Sequence, residues 1–291
     1  LILYIGGYQS LEKILLAMVF IFSIVTLIIA IAMQSTPFSI QAVDILGGLS
    51  FKFPTEHTAL ALAVFGFTGI SYGEIMAYTY WCKEKGYSNH DGDPKQVKNW
   101  IKTMQTDVWI TVFLVTIGTI PFFLLGASIL NSQGLYPPPN GDIIQTLLVM
   151  FTSILGEWAR WFFIPLTFFV LFSTFLSGTA AFTRTISDYF ISMGLIVEKA
   201  STRQTLIHYI AFLIPAFSCL AYFILPNPIL LLMIAGIWAA LGLPIVNIGA
   251  LYLVNKLDKE LQPSNLTKII LTITLVFQLG IAGLLIFSQM S

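Results

Sequence analysis

Seven predominantly apolar runs of twenty or more residues dictate what this chain can become: Ile14–Met33, Thr58–Trp81, Val108–Leu130, Trp158–Phe182, Thr205–Leu225, Ile229–Val254 and Lys268–Gln289. Crossing a hydrocarbon layer takes about 20 apolar residues in a helix. No water is available there, so every backbone polar group must be bonded internally, by a helix or by a closed barrel. Barrel strands are about ten residues long with alternating polarity, and these runs are too long and too uniform for that. The expected fold is therefore an all-α integral membrane protein of about seven transmembrane helices, read as a single transmembrane domain over 1–291. Charged residues make up only 10% of the chain, where a soluble domain carries about 25%. With zero formal net charge, there is no general attraction to nucleic acid, and the lipid bilayer is the expected surrounding.

The sign of the loops orients the spans. Lys13 precedes the first run; Lys83, Lys85, Lys95, Lys98 and Lys102 follow the second; Arg184, Lys199 and Arg203 follow the fourth; Lys256, Lys259 and Lys268 separate the sixth and seventh. Only Lys52 and Arg160 fall on the other side, so twelve of the fourteen basic residues share one face. The positive-inside rule places that face in the cytoplasm. The N-terminal edge is then cytoplasmic and the C-terminus outside, in the cell (inner) membrane.

Between the runs, Gln34–Glu56 is an external connection with a Gly47–Gly48 pair. Ser88–Pro94 is turn-rich, and Lys95–Gln105 reads as a short amphipathic helix with its lysines at the headgroups. Pro137–Gly141 forms a stiff external turn ahead of Ile143–Leu155, a second amphipathic segment expected on the outer surface. Ile14–Met33 lacks the cleavage site of a signal peptide. Leu1–Gln9 reads as the tail of a preceding segment, so an N-terminally incomplete chain is expected. Cys82 and Cys219 are too differently placed to form a disulfide.

The second run is the unusual one. ALALAVFGFTGISYGEIMAYTYW (Ala59–Trp81) carries Glu74 and glycines at 66, 69 and 73. A charge at the centre of a spanning helix costs roughly 2.5–3.5 kcal/mol on insertion scales, and a glycine there weakens the helix by about 1 kcal/mol. Both penalties meet at Gly-Ile-Ser-Tyr-Gly-Glu. Such a combination marks an interrupted helix near 69–75 whose freed backbone meets a solute; it also fits a close glycine contact with Glu74 hydrogen-bonded between helices.

Glu74 is the only acid near the middle of a span. Asp107, Asp188 and Glu157 sit at span ends and read as solvated helix-end charges, and His208 reads as hydrogen-bonded at the interface; His57 and His90 lie outside the hydrocarbon. In FSTFLSGTAAFTRT (Phe172–Thr185), Ser173 and Ser177 share a helical face with Thr174 beside it, suited to close packing or to a hydrated cavity. Pro244 must free a backbone carbonyl, and Asn247 needs a polar partner. No HExxH, paired transmembrane aspartates or phosphate loop is present, so an enzyme is not expected.

Taken in order, Leu11–Ala32, Gly66–Gly86 (GFTGISYGEIMAYTYWCKEKG), Thr106–Leu130, Leu171–Phe190 and Ala239–Leu253 (AALGLPIVNIGALYL) resemble the fifth, sixth, seventh, eighth and tenth helices of the Nramp family of divalent-metal transporters. The resemblance implies a partial inverted-repeat, amino-acid-transporter-like fold, with the family's first four helices as missing N-terminal partners in the same protein. It implies no resident cofactor and a transported divalent cation. Gly73, Glu74 and Ile75 stand where the family has Met-Pro-His, and Gly236 or a neighbour replaces its tenth-helix glutamine. Losing the soft sulfur favours magnesium or manganese and puts proton coupling in doubt. By this resemblance Glu74 is the metal ligand, carbonyls near Ile70, Ser71, Tyr72 and Gly73 face the ion, and Ser173, Thr174 and Ser177 help line the cavity. Two other functions stay open: transport of an amino acid or other organic ion, and a non-transporting membrane sensor.

Overall fold

The computed structural model describes residues 8–50, 58–87, 94–137, 142–197 and 199–290. Lys52, His57, His90, the turn residues 88–93 and residues 138–141 of the proline turn lie outside them. Every regular element among the described residues is helical: α1 Tyr8–Met33, α2 Ala42–Gly48, α3 Thr58–Phe67, α4 Tyr72–Glu84, α5 Pro94–Leu125, a π-helical stretch Gly126–Asn131, α6 Ile143–Leu155, α7 Ala159–Ser192, α8 Ala200–Ile224, α9 Pro228–Val254 and α10 Asn265–Met290. Seven stretches are long and apolar enough to span a bilayer, with α3 and α4 together making one of them. They fall on the seven runs expected from the sequence.

The boundaries differ in instructive places. Lys95–Gln105 is no separate surface helix; it is the first part of α5, a 32-residue helix that continues into the span. Pro94 suits a helix start because its fixed φ is already helical, and no glycine or proline follows until Gly118. The fourth span likewise continues to Ser192 rather than ending at Phe182. Both helices are longer than the hydrocarbon requires. The connection between the first two spans contains α2, whose Asp44 carboxylate accepts the Gln41 N–H at 2.9 Å.

The chain forms two compact units, Leu1–Phe51 with Ile110–Pro228, and Lys52–Trp109 with Ile229–Ser291. In the first, a core of Ile29, Met33, Leu125, Ile129, Phe151 and Phe163 joins α1, the end of α5, the π-helical stretch, α6 and α7. The short helix α6 thus differs from the surface segment expected. Asp142 caps it by accepting the N–H groups of Ile144 and Gln145, Gly156 ends it at φ 82°, and Leu148, Met150 and Phe151 are completely buried between these ends. At the far end of this unit, Arg203 of α8 grips Asp188 of α7 through two hydrogen bonds of 2.6 and 3.2 Å.

The second unit is organised by helices that approach without side chains. A Cβ on Gly66 of α3 would collide with the Gly236 carbonyl of α9, and one on Gly236 would lie 2.5 Å from the Ala63 carbonyl. Small residues at such crossings let backbones approach closely, which is how helices gain packing energy in lipid. Farther along, α9 is tied to α10 by Asn247, which donates to Gln278 Oε1 at 3.1 Å.

Candidate functional site

The interruption lies between α3 and α4, at Thr68–Ser71, and is shorter than the 69–75 expected. Thr68 closes α3 by donating both its N–H and its hydroxyl to the Val64 carbonyl. Gly69 then takes φ 91°, a left-handed conformation that glycine adopts without steric cost. Ile70 and Ser71 complete the extended connection, and α4 restarts at Tyr72. Ending one helix and starting another inside a span leaves the last carbonyls of α3 and the first N–H groups of α4 without regular partners.

Glu74 belongs to the restart rather than to the break. Ser71 is the N-cap of α4, with extended φ −75° and ψ 166°, and Glu74 is the third helical residue. The Glu74 carboxylate accepts the Ser71 backbone N–H at 2.6 Å. This Ser-x-x-Glu arrangement is a capping box, a motif readable in the sequence but overlooked in favour of the cost of a buried charge. The carboxylate sits at the positive end of a helix dipole, where negative charge is favoured. It is exposed on this chain, and only Oε2 is used in the cap, which leaves Oε1 open to a further ligand.

The other candidates divide by environment. Ile70 is exposed and Ser71 and Gly73 half-buried. Tyr72 is turned to packing: a Cβ on Gly242 of α9 would come within 2.6 Å of its ring. Ser173, Thr174 and Ser177 lie on α7, which belongs to the first unit, and Ile70–Glu74 belong to the second. Ser173 and Thr174 both donate to the Val170 carbonyl, at 2.8 and 3.0 Å, and Ser177 donates to Thr174 at 3.2 Å. Ser173 is buried while Thr174 and Ser177 are exposed, so the shared face splits. With Leu176, Thr179, Ala180, Thr183 and Ser187, Ser173 forms a buried stripe of mainly small residues along α7. Their hydrogens serve their own helix, and their oxygens keep some acceptor capacity.

Asp107 and Asp188, expected as solvated helix-end charges, are held by partners. Asp107 accepts from the Tyr87 hydroxyl at 3.0 Å and lies 3.7 Å from Lys85, while the Tyr87 ring stacks on Trp100 at 4.7 Å. Partial burial, followed by the Asp107 hydrogen bond, pushes the Tyr87 phenol above its usual range. Glu157 does fit the expectation, exposed beside Arg160. His208 contacts Gln204 at 3.4 Å. Cys82 and Cys219 are both free thiols.

Among the described residues, no three His, Cys, Asp or Glu side chains gather as a metal cluster. A cation at the interruption would meet a single carboxylate and backbone carbonyls, an all-oxygen set suited to hard ions. A cavity of about 690 Å³ in the first unit, lined by Asp44, Ser39, Ser128 and Asn131 among others, includes none of the sequence candidates. In comparison with known proteins, the family model described as natural resistance-associated macrophage protein-like, Nramp, matches residues 1–288. No curated protein matches the chain.

Proposed function

The chain belongs to the Nramp family, whose members transport divalent metal cations and are not enzymes, and from that premise we propose that it carries a hard divalent cation, magnesium or manganese, across the cell membrane by alternating access. The observation behind this reading is the interruption at Thr68–Ser71 followed by the Glu74 carboxylate, with Gly73 in place of the family's soft methionine. Discontinuous helices of this kind hold substrates in many carriers, because their freed carbonyls and N–H groups are available at membrane depth. Oxygen ligands favour magnesium and manganese over thiophilic ions. Magnesium loses its water reluctantly, so one carboxylate and a few carbonyls suffice where water stays on the ion. The twelve-to-two bias of basic residues supports the cytoplasmic position of Lys83–Lys102 and an external C-terminus.

The helix restart also bears on the organic-solute alternative. A half-helix N-terminus ordinarily attracts a substrate carboxylate, but Glu74 already places a negative charge on the N-terminus of α4. An incoming organic acid would be repelled there, whereas a cation would be attracted.

The test is ion flux through the full-length protein in proteoliposomes. Manganese or magnesium should be carried and cadmium hardly at all. Cadmium flux above both would overturn the ligand-softness argument, and flux of none of the three would overturn the transport reading.

A further inference from the structure

Helix α9 contains two buried oxygens that its own structure leaves without donors. Pro244 has no N–H, so the carbonyl of Ala240, four residues earlier, lacks its helical partner. Ala240 and Pro244 are both buried. Asn247 lies seven residues beyond Ala240, about two turns along the same face, and is only 7% exposed. Its Nδ2 uses both hydrogens on α10, donating to Gln278 Oε1 at 3.1 Å and to the Leu271 carbonyl at 3.4 Å. Its Oδ1 is buried and has no hydrogen-bond partner among the described residues.

Helix geometry brings these two oxygens toward one turn. Side chains lean toward the helix N-terminus, so Asn247 stands over Leu243 and Pro244. The Ala240 carbonyl points along the axis into that same turn. Each of the two oxygens can only accept, and a buried acceptor left unmet costs about 1–3 kcal/mol. The nearby Gln278 Oε1 and Leu271 carbonyl already receive the Asn247 amide hydrogens. A divalent cation would want at least six oxygens, and those amide hydrogens point at two of the available four. A species that meets two neutral acceptors needs two hydrogens and no net charge.

We propose that Asn247 Oδ1 and the Ala240 carbonyl bind one water molecule, which replaces the hydrogen bond removed by Pro244 and makes α9 a hydrated joint. Inserted water is an established way to interrupt and bend a helical ladder, and a buried water with polar partners is an ordinary part of protein structure. The Asn247–Gln278 bond holds one side of the joint against α10 while the water supplies the movable link.

Hydroxyl-radical footprinting with mass spectrometry tests this on full-length protein in nanodiscs, because a bound water delivers radicals to buried neighbours. Leu243 and Pro244 should be oxidised several-fold faster than Leu62, a buried residue of the same unit. Replacing the whole pair with Asn247→Leu and Gln278→Leu should bring that rate down to the Leu62 level without leaving an unpaired glutamine. Pro244→Ala, which returns an N–H to Ala240 and keeps the Asn247 brace, should do the same. Oxidation at the Leu62 rate in the unmodified protein, or persistence of the fast rate in either variant, would overturn the proposal. Suppression when sodium or manganese replaces choline would show a cation as the occupant, and would overturn it as well.

Discussion

Replacing Glu74 separates its two roles, since the cap requires an acceptor and the ion requires a charge. The Ser71 N–H reaches the carboxylate at 2.6 Å, and glutamine at this position of a capping box also accepts that bond. Glu74→Gln therefore keeps the cap and loses only the helix-dipole contribution, about 0.3–1 kcal/mol. Glu74→Ala loses the cap too, about 1 kcal/mol more. A unit charge about 4 Å away at an effective dielectric of 20 is worth roughly 4 kcal/mol. Halved for the exposure of Glu74, and doubled for a divalent ion, the estimate stays near 4 kcal/mol, an affinity loss of up to about a thousandfold. Thermal unfolding of the full-length protein should fall in the order wild type, Gln, Ala, with Ala lowest by a few degrees. Manganese affinity and flux should instead fall by at least about tenfold, and similarly, in both variants. If Gln retained wild-type affinity and flux while only Ala was impaired, Glu74 would be a cap alone and the ion-site reasoning would fail. Equal melting of Gln and Ala would refute the capping argument.

Gly66→Ala should destabilise the second unit by at least about 1–3 kcal/mol, because its Cβ would collide with the Gly236 carbonyl. Gly283→Ala, where nothing lies within 4 Å, should be neutral or slightly stabilising; similar melting of the two would contradict the crossing described. In intact cells, an impermeant thiol reagent should label Pro139→Cys but not His90→Cys, measured in a background lacking Cys82 and Cys219; the reverse pattern would invert the topology. Removing one phenol with Tyr87→Phe should delete a titration step lying above the ordinary tyrosine value of about 10. The raised pKa favours the protonated phenol, so the Tyr87–Asp107 contribution is fully present at neutral pH, declines as the pH rises past the unfolded value of about 10, and is gone above the raised folded value. A difference titration at 295 nm with its step at or below 10 would rule this out.

The sequence alone determined the compartment, the helical class and the place of the spans, because a bilayer imposes its demand on each segment separately. About 20 apolar residues with internally bonded backbone read the same whatever their neighbours are. It also located the interruption, since Gly69 and the Ser71-x-x-Glu74 pattern are local backbone signals, although Glu74 was read as a strained charge when its spacing to Ser71 already marked a cap. Pro94 and the absence of breakers before Gly118 likewise carried enough to foresee that Lys95–Gln105 continues into α5. What periodicity withholds is the partner of a face. That Gly66 meets Gly236, that Tyr72 packs on Gly242, and that Asn247 bonds Gln278 thirty-one residues away are decided by which helices cross and where. That choice depends on the whole set of packed surfaces in lipid, where close contact and matched hydrogen bonds replace the hydrophobic effect as the selecting force. The same packing divided Ser173 from Ser177 and buried α6, since one-dimensional amphipathicity cannot tell a face turned to headgroups from a face turned to Phe151 and Phe163.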